Sequence, residues 1–177
     1  MSDFPVIVDR AGLWDAEDLS DVAATTFPLA CPPGLAAADI ERFIDQALST
    51  DRFGEYLSDP NRTVLKAVSG DEIVGYAMLV AGVPEAAAHA VVGRPAIELK
   101  KMYVVPGRHG SGVSTALMLA AVDTARRGEF AVVWLAVNQE NERARRFYGK
   151  HGFDTVGVKP FRVGTRWCED YIMRKEL

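Results

Sequence analysis

The residues best placed to do chemistry sit where an apolar run gives way to a glycine-bearing loop and then to a helix pattern. Leu99-Lys100-Lys101-Met102-Tyr103-Val104-Val105 ends at Pro106. Gly107-Arg108-His109-Gly110-Ser111-Gly112 follows, and an Ala/Leu/Met helix pattern starts at Val113. A helix start of this kind offers unpaired backbone N–H groups and the positive end of the helix dipole. Together they bind phosphate without a cationic side chain. A glycine loop does not by itself say whose phosphate it holds. No Gly-Lys-Ser/Thr follows, which excludes a triphosphate loop. A dinucleotide fold wants an acidic residue at the end of the next strand to hold a ribose. Here that strand ends in Val137-Asn138-Gln139.

The elements that must position this loop can be read from periodicity. Pro5–Val8 reads as a first strand and Asp15–Thr26 as a helix broken by Pro28, Pro32, Pro33 and Gly34. Asp39 is expected to cap a second helix with Ile40, Phe43, Ile44, Ala47 and Leu48 on its apolar face, and Phe53–Leu57 is a short third. Thr63–Val68 and Ile73–Val80 form a hairpin around Ser69-Gly70-Asp71-Glu72. Residues 81–95 show no period and read as a surface loop or a flap over a site. Ala96–Val104 is a strand. Val113–Arg127 is a helix whose apolar residues surround it, predicting full burial, and Gly128 ends it. Ala131–Val137 is unbroken apolar, the pattern of a central strand covered on both faces. Strand, helix and strand here predict a right-handed crossover with a parallel pair. A helix over Asn141–His151 and strands over Phe153–Val163 and Trp167–Arg174 complete the chain.

With 177 residues, 49% apolar and 25% charged, the chain is expected to form one globular domain over residues 1–177. Its net charge of -4 opposes nucleic acid as a partner, since a phosphate-backbone binder shows a basic face. No leader pattern and no bilayer-length apolar run is present, so no membrane is expected. Cys31 and Cys168 are too few and too isolated for a zinc site or a disulfide framework, so no metal is expected. They read as reduced thiols of a cytoplasmic protein.

The second motif is Asn141-Glu142-Arg143-Ala144-Arg145-Arg146-Phe147-Tyr148-Gly149-Lys150-His151-Gly152-Phe153. The pattern N-x-x-A-x-x-F-Y-x-K-x-G-F after strand, loop, helix and strand resembles the GNAT superfamily of acetyl-CoA-dependent N-acetyltransferases. The likeness runs from Thr63 to Leu177. Phe161-Arg162-Val163-Gly164 with Glu169-Asp170-Tyr171-Ile172-Met173 further resembles PaiA-like polyamine acetyltransferases, through a less specific pattern. The resemblance implies an α/β (α+β) fold: a mixed, mostly antiparallel sheet of about seven strands, a central splayed parallel pair and flanking helices.

It also implies a site. The superfamily's phosphate motif, Gln/Arg-x-x-Gly-x-Gly/Ala, falls on His109, Gly112 and Ser114, and the first and last depart from it. Backbone N–H groups of His109, Gly110, Ser111, Gly112, Val113 and Ser114 would hold the pyrophosphate of acetyl-CoA. Main chain of Met102, Tyr103 and Val104 would pair with the pantetheine amides, with a backbone N–H near Tyr103 or Val104 polarising the thioester carbonyl. Asn141 would bind the pantetheine arm, cap its helix, or do both. Lys150 matches a position near the cofactor's 3′-phosphate, or is a solvated charge. Tyr148 matches the family's general acid, able to protonate the departing thiolate.

Glu98 stands where several members carry a catalytic glutamate. It takes the ammonium proton, holds the cation, or is a surface residue. Further carboxylates and aromatics for a cationic acceptor are Phe27, Glu41, Asp45, Glu55, Tyr56, Tyr103, Glu169 and Asp170, with Arg42 and Arg52 opposing one if they point inward. The implied partner is a small-molecule primary amine such as a polyamine. A protein N-terminus or lysine, and a non-catalytic acyl-CoA sensor, are the alternatives. A homodimer through the last strand and the Gly164–Trp167 turn is compatible with the sequence and not required by it.

Overall fold

Strands β1 (Val6–Arg10), β2 (Arg62–Ser69), β3 (Glu72–Ala81) and β4 (Ala96–Val104) pair antiparallel in sequence order. The computed structural model describes residues 4–108 and 112–177, so the predicted phosphate ligands His109, Gly110 and Ser111 lie outside the described residues. The sheet continues through β5 (Val132–Asn138), β6 (Asp154–Val163) and β7 (Arg166–Glu176). Its order is β1-β2-β3-β4-β5-β7-β6, because the last hairpin folds back and inserts β7 beside β5. Among the described residues only β4 and β5 pair in parallel. This is the mixed, mostly antiparallel seven-stranded sheet expected from the sequence.

The parallel pair is short. Ala96, Ile97 and Glu98 face Val132, Val133 and Trp134, and the pairing stops there. Beyond Glu98, β4 keeps only β3 and β5 keeps only β7, so the two strands splay. A bulge adds a second feature. Leu79 faces Leu99 but Met78 faces Lys101, which leaves Lys100 as the extra residue. Side chains alternate across a strand, and one extra residue reverses the alternation. Glu98, Lys101 and Tyr103 therefore share one face of the sheet.

Helices cover both faces. Helix α1 (Ala16–Ala30), α2 (Ala37–Ala47) and α3 (Thr50–Ser58) bury Leu19, Phe27, Leu48 and Phe53 against Val64, Tyr76 and Met78. Helix α5 (Val113–Arg127) and α6 (Glu142–Lys150) pack on the other face over Leu79, Leu99, Leu135 and Phe153. Between β3 and β4 lies the short α4 (Glu85–Ala88), whose Ala87 is buried with Val91 around fully buried Trp134. The Trp134 indole N–H donates to the Gly82 carbonyl at 3.2 Å. The segment read as a loop or flap is thus anchored to the sheet by aromatic packing.

Other expectations change too. Helix α1 continues past Thr26 to Ala30 with Pro28 inside it. Proline there forfeits one hydrogen bond near the helix end, while Phe27 gains a stack on Phe43 at 4.5 Å. Ala36, not Asp39, is the N-cap of α2, and Asp39 lies in the first turn, 3.6 Å from Arg42. Ser49 caps α3, accepting from Arg52 N–H at 3.2 Å. Helix α5 buries one stripe only: Leu117, Met118, Ala121 and Ala125 face the sheet, whereas Leu119 is 61% exposed.

Candidate active site

The splay of β4 from β5 opens a cleft of about 960 Å³ that reaches both faces of the sheet. One wall is Glu98 to Val104 of β4. Ala136, Val137 and Asn138 of β5 form the other. The N-terminal turn of α5 contributes Gly112, Ser114 and Thr115, and α6 contributes Asn141, Arg143, Ala144, Phe147 and Tyr148. Phe27, Cys31, Phe43, Tyr56 and Arg62 close it on the α1–α3 side, with Lys159, Phe161 and Asp170 from the last hairpin.

Gly112 precedes α5 with φ 86°, the left-handed region that side chains with a Cβ disfavour, while its own carbonyl accepts from Ala116 N–H at 2.9 Å. The turn thus enters the helix with its first N–H groups directed outward. Ser114 lines the cleft, but the Val113 side chain is buried in the core under α5, so only its backbone can serve. The Asn141 side-chain carbonyl accepts from Ala144 N–H at 3.1 Å, the expected cap. Its NH₂ has no partner among the described residues and remains available to a ligand. Lys150 is exposed in the last turn of α6 and does not line the cleft.

Met102 and Val104 belong to the β4 stretch whose β5-side edge carries no strand partner among the described residues. That edge can accept an extended ligand as an added strand. Tyr103 points to the α1–α3 face, with its ring 5.8 Å from that of Tyr76. Burial, and then the neighbouring Tyr148, Cys31 and Asp170, push its hydroxyl well above the usual tyrosine range.

Tyr148 comes from the α6 side, its ring meeting Phe147 and Phe153 at 5.7 and 6.0 Å. Burial pushes its hydroxyl up to about 12, so it holds its proton at neutral pH. It is a weaker acid than an unperturbed tyrosine, and its natural partner is an anion made more basic by the same dry surroundings. Glu98 is the last paired residue before the splay and forms its floor. It is 5% exposed, not a surface glutamate, and its carboxylate lies 3.8 Å from Lys100 Nζ.

Of the further acceptor-site candidates, Phe27, Tyr56, Tyr103 and Asp170 line the cleft, while Glu41, Asp45, Glu55 and Glu169 do not. Arg42 and Arg52 lie away from it, the first beside Asp39 and the second bonded to Glu55. Sequence reasoning missed Lys101. The bulge turns it into the cleft, where burial and neighbouring Lys100 lower it to about 8 against the pull of Glu98. Its only signal was two adjacent lysines in an otherwise apolar strand. Cys31 also lines the cleft, but its thiol donates to the Phe27 carbonyl at 3.3 Å, and burial pushes it away from the thiolate form. Among the described residues, no group of three His, Cys, Asp or Glu side chains is placed to hold a metal.

A glycine-led helix start and an open strand edge flank this splayed pair, with a neutral tyrosine on one wall and a buried glutamate at the floor. Comparison with known proteins identifies the family of the fold. Residues 24–153 match the Acetyltransferase (GNAT) family, and the chain belongs to it. An uncharacterized N-acetyltransferase of Mycobacterium tuberculosis is 47% identical over 163 residues, 92% of this chain and 98% of its own length. The N-alpha-acetyltransferase RimI of the same organism is 29% identical over 127 residues, 70% of this chain and 72% of its own. Among solved structures, the PaiA N-acetyltransferase of Thermoplasma acidophilum in complex with coenzyme A aligns with a TM-score of 0.77 at 19% identity. That alignment covers 98% of this chain and 99% of the other. The protein is accordingly an acyltransferase of GNAT type.

Proposed function

We propose that the protein transfers an acetyl group directly from acetyl-CoA to a primary amine of a small molecule. The observation that carries this is one continuous cleft, lined by the α5 start and α6 and by Glu98 and Tyr103. Pyrophosphate would lie on the N–H groups entering α5, and pantetheine along the free edge of β4, held by Asn141 NH₂. The thioester would then sit in the splay. Backbone N–H near Tyr103 or Val104 polarises its carbonyl, Tyr148 protonates the leaving sulfur, and Glu98 attracts the acceptor's ammonium group. The solved PaiA neighbour binds coenzyme A, which supports the donor.

A polyamine is one candidate acceptor, with Glu98 and Asp170 to meet its charges. Lys101, Arg62 and Lys159 in the same cleft favour a monoamine or an acceptor that also carries an anionic group. A protein N-terminus is the second reading, supported by those cations and by the likeness to an N-alpha-acetyltransferase. The two free cysteines fit the reducing cytoplasm.

The test is release of free coenzyme A across monoamines, polyamines, amino acids and peptides, with Tyr148→Phe and Glu98→Gln beside wild type. Tyr148→Phe is expected to lower kcat about 100-fold with KM for acetyl-CoA unchanged. A variant as fast as wild type at saturating amine removes Tyr148 from the chemistry. Cofactor binding without turnover on any acceptor would instead identify an acyl-CoA sensor.

A further inference from the structure

Asp170 is a buried carboxylate of the cleft to which no step of the acyl transfer has yet been assigned. It lies on β7, opposite Asn138 of β5 and Lys159 of β6. The register Glu98–Trp134, then Trp134–Arg174, Ala136–Ile172 and Asn138–Asp170, places Asp170 on the same face of the sheet as Glu98. The β4 bulge adds Tyr103 and Lys101 to that face. Asp170 therefore stands beyond the splay, across from β4, on the side opposite α6 and Tyr148.

Its surroundings single it out. Asp170 is 7% exposed and lines the cleft, and its Oδ1 is buried with no hydrogen-bond partner among the described residues. A carboxylate oxygen left without a donor is costly, which makes a ligand donor the natural partner. No cation among the described residues lies within ion-pair distance of it. The charged and titratable groups around it are Lys159 from β6, Tyr103 from β4 and, around that tyrosine, Cys31 after α1 and Tyr148 from α6. Glu98, by contrast, already has Lys100 at 3.8 Å.

We propose that the acceptor's ammonium group docks against Asp170, and that Asp170 removes its proton before attack. This rests on the reading of the cleft as a transferase site. One N–H proton passes to the Asp170 carboxylate, and the freed lone pair of the amine attacks the thioester carbonyl carbon. The C–S bond breaks, and sulfur takes the proton of Tyr148. The second N–H proton of the adduct returns to the Tyr148 oxygen as the amide forms. Asp170 later releases its proton to water. The balance is one ammonium and one thioester in, one amide, one thiol and one proton out. Burial raises the Asp170 carboxyl to about 6, opposed by Lys159, which suits a base working near neutrality. Glu98 keeps the role of attracting the cation.

The experiment follows kcat/KM against pH for wild type and Asp170→Asn with propylamine, glycinamide and trifluoroethylamine, acceptors of falling basicity. Unchanged coenzyme A affinity and circular dichroism establish that the variant folds. Asp170→Asn is expected to lose about 100-fold or more with propylamine at neutral pH. It should also lose the acidic limb of the wild-type profile, and the deficit should shrink below about 10-fold for trifluoroethylamine, which arrives already neutral. An acidic limb retained in the variant, or an equal loss for all these amines, overturns the assignment. If wild type turns over none of these three amines, the broader acceptor panel decides the transferase reading and docking at Asp170 is read without turnover. A carboxyl ¹³C signal of Asp170 that shifts when propylamine is added to the coenzyme A complex then sustains the docking site, and a signal that does not move overturns it.

Discussion

Tyr148, Lys101 and Asp170 meet in one cleft, and each is shifted by burial toward its neutral form. That common direction keeps a proton on the tyrosine, eases one off the lysine and holds one on the aspartate to higher pH. For Asp170 it has a cost in stability. Its folded carboxyl titrates at about 6, whereas an unfolded one titrates at about 3.9. Between those values the folded state keeps a proton that the unfolded chain has released, so stability falls as pH rises through this window. Asp170→Asn removes the titration. Its melting temperature is expected to gain on wild type as pH rises from about 4 to about 7 and to hold a constant lead above that. Thermal melts across pH check this, and a difference independent of pH contradicts it. At this scale the sequence was legible where a motif is local. Asn141 and Tyr148 are neighbours on one helix, and their spacing is visible in one line of residues. Lys101 was not legible, because the face it takes depends on one extra residue in β4.

The elements divide in the same way. Helix α6 declares its start through Asn141, whose carbonyl caps Ala144 N–H. The cap and the proposed ligand role would use different atoms of that side chain, so substitution separates them. Asn141→Asp keeps an acceptor for the cap and loses the NH₂ donor. It is expected to melt near wild type and to raise KM for acetyl-CoA about 10-fold, the scale of one lost hydrogen bond. Asn141→Ala loses both and should also be about 1 kcal/mol less stable. Equal KM values for wild type and both variants would remove Asn141 from cofactor binding. Helix α1 shows the limit of local signals. Pro28 reads as a stop, yet the helix runs on because Phe27 packs on Phe43 of another helix. Segment 81–95 read as structureless for a similar reason, since Ala87 and Val91 find their partner in distant Trp134.

Across the whole molecule, the cleft is where two central strands have each lost a neighbour. The edges of β4 beyond Glu98 and of β5 opposite it present backbone groups with no strand to pair. A cofactor lying between them, as proposed, would restore pairing and tie the halves of the sheet together. Coenzyme A at 100 times its dissociation constant is expected to stabilise the fold by about 2.7 kcal/mol. For a chain of this size that raises the melting temperature by about 5–10 °C. Differential scanning fluorimetry with coenzyme A checks this, and an unshifted melt at millimolar cofactor would remove the splay as its site.

Alone, the sequence determined strand β4, the start of α5 where a phosphate is proposed to bind, the α6 motif and most of the order of elements, because all of these rest on hydrogen bonds and periodicities within a few residues. The side of the cleft proposed for the acceptor was decided by tertiary structure. Asp170 reaches the cleft only because β7 inserts between β5 and β6, and Lys101 only because of the bulge. Glu98 becomes a buried floor residue only because the parallel pairing ends at Trp134. Each depends on register between strands far apart in the chain, and a register is fixed by packing of the whole sheet, not by any local run of residues.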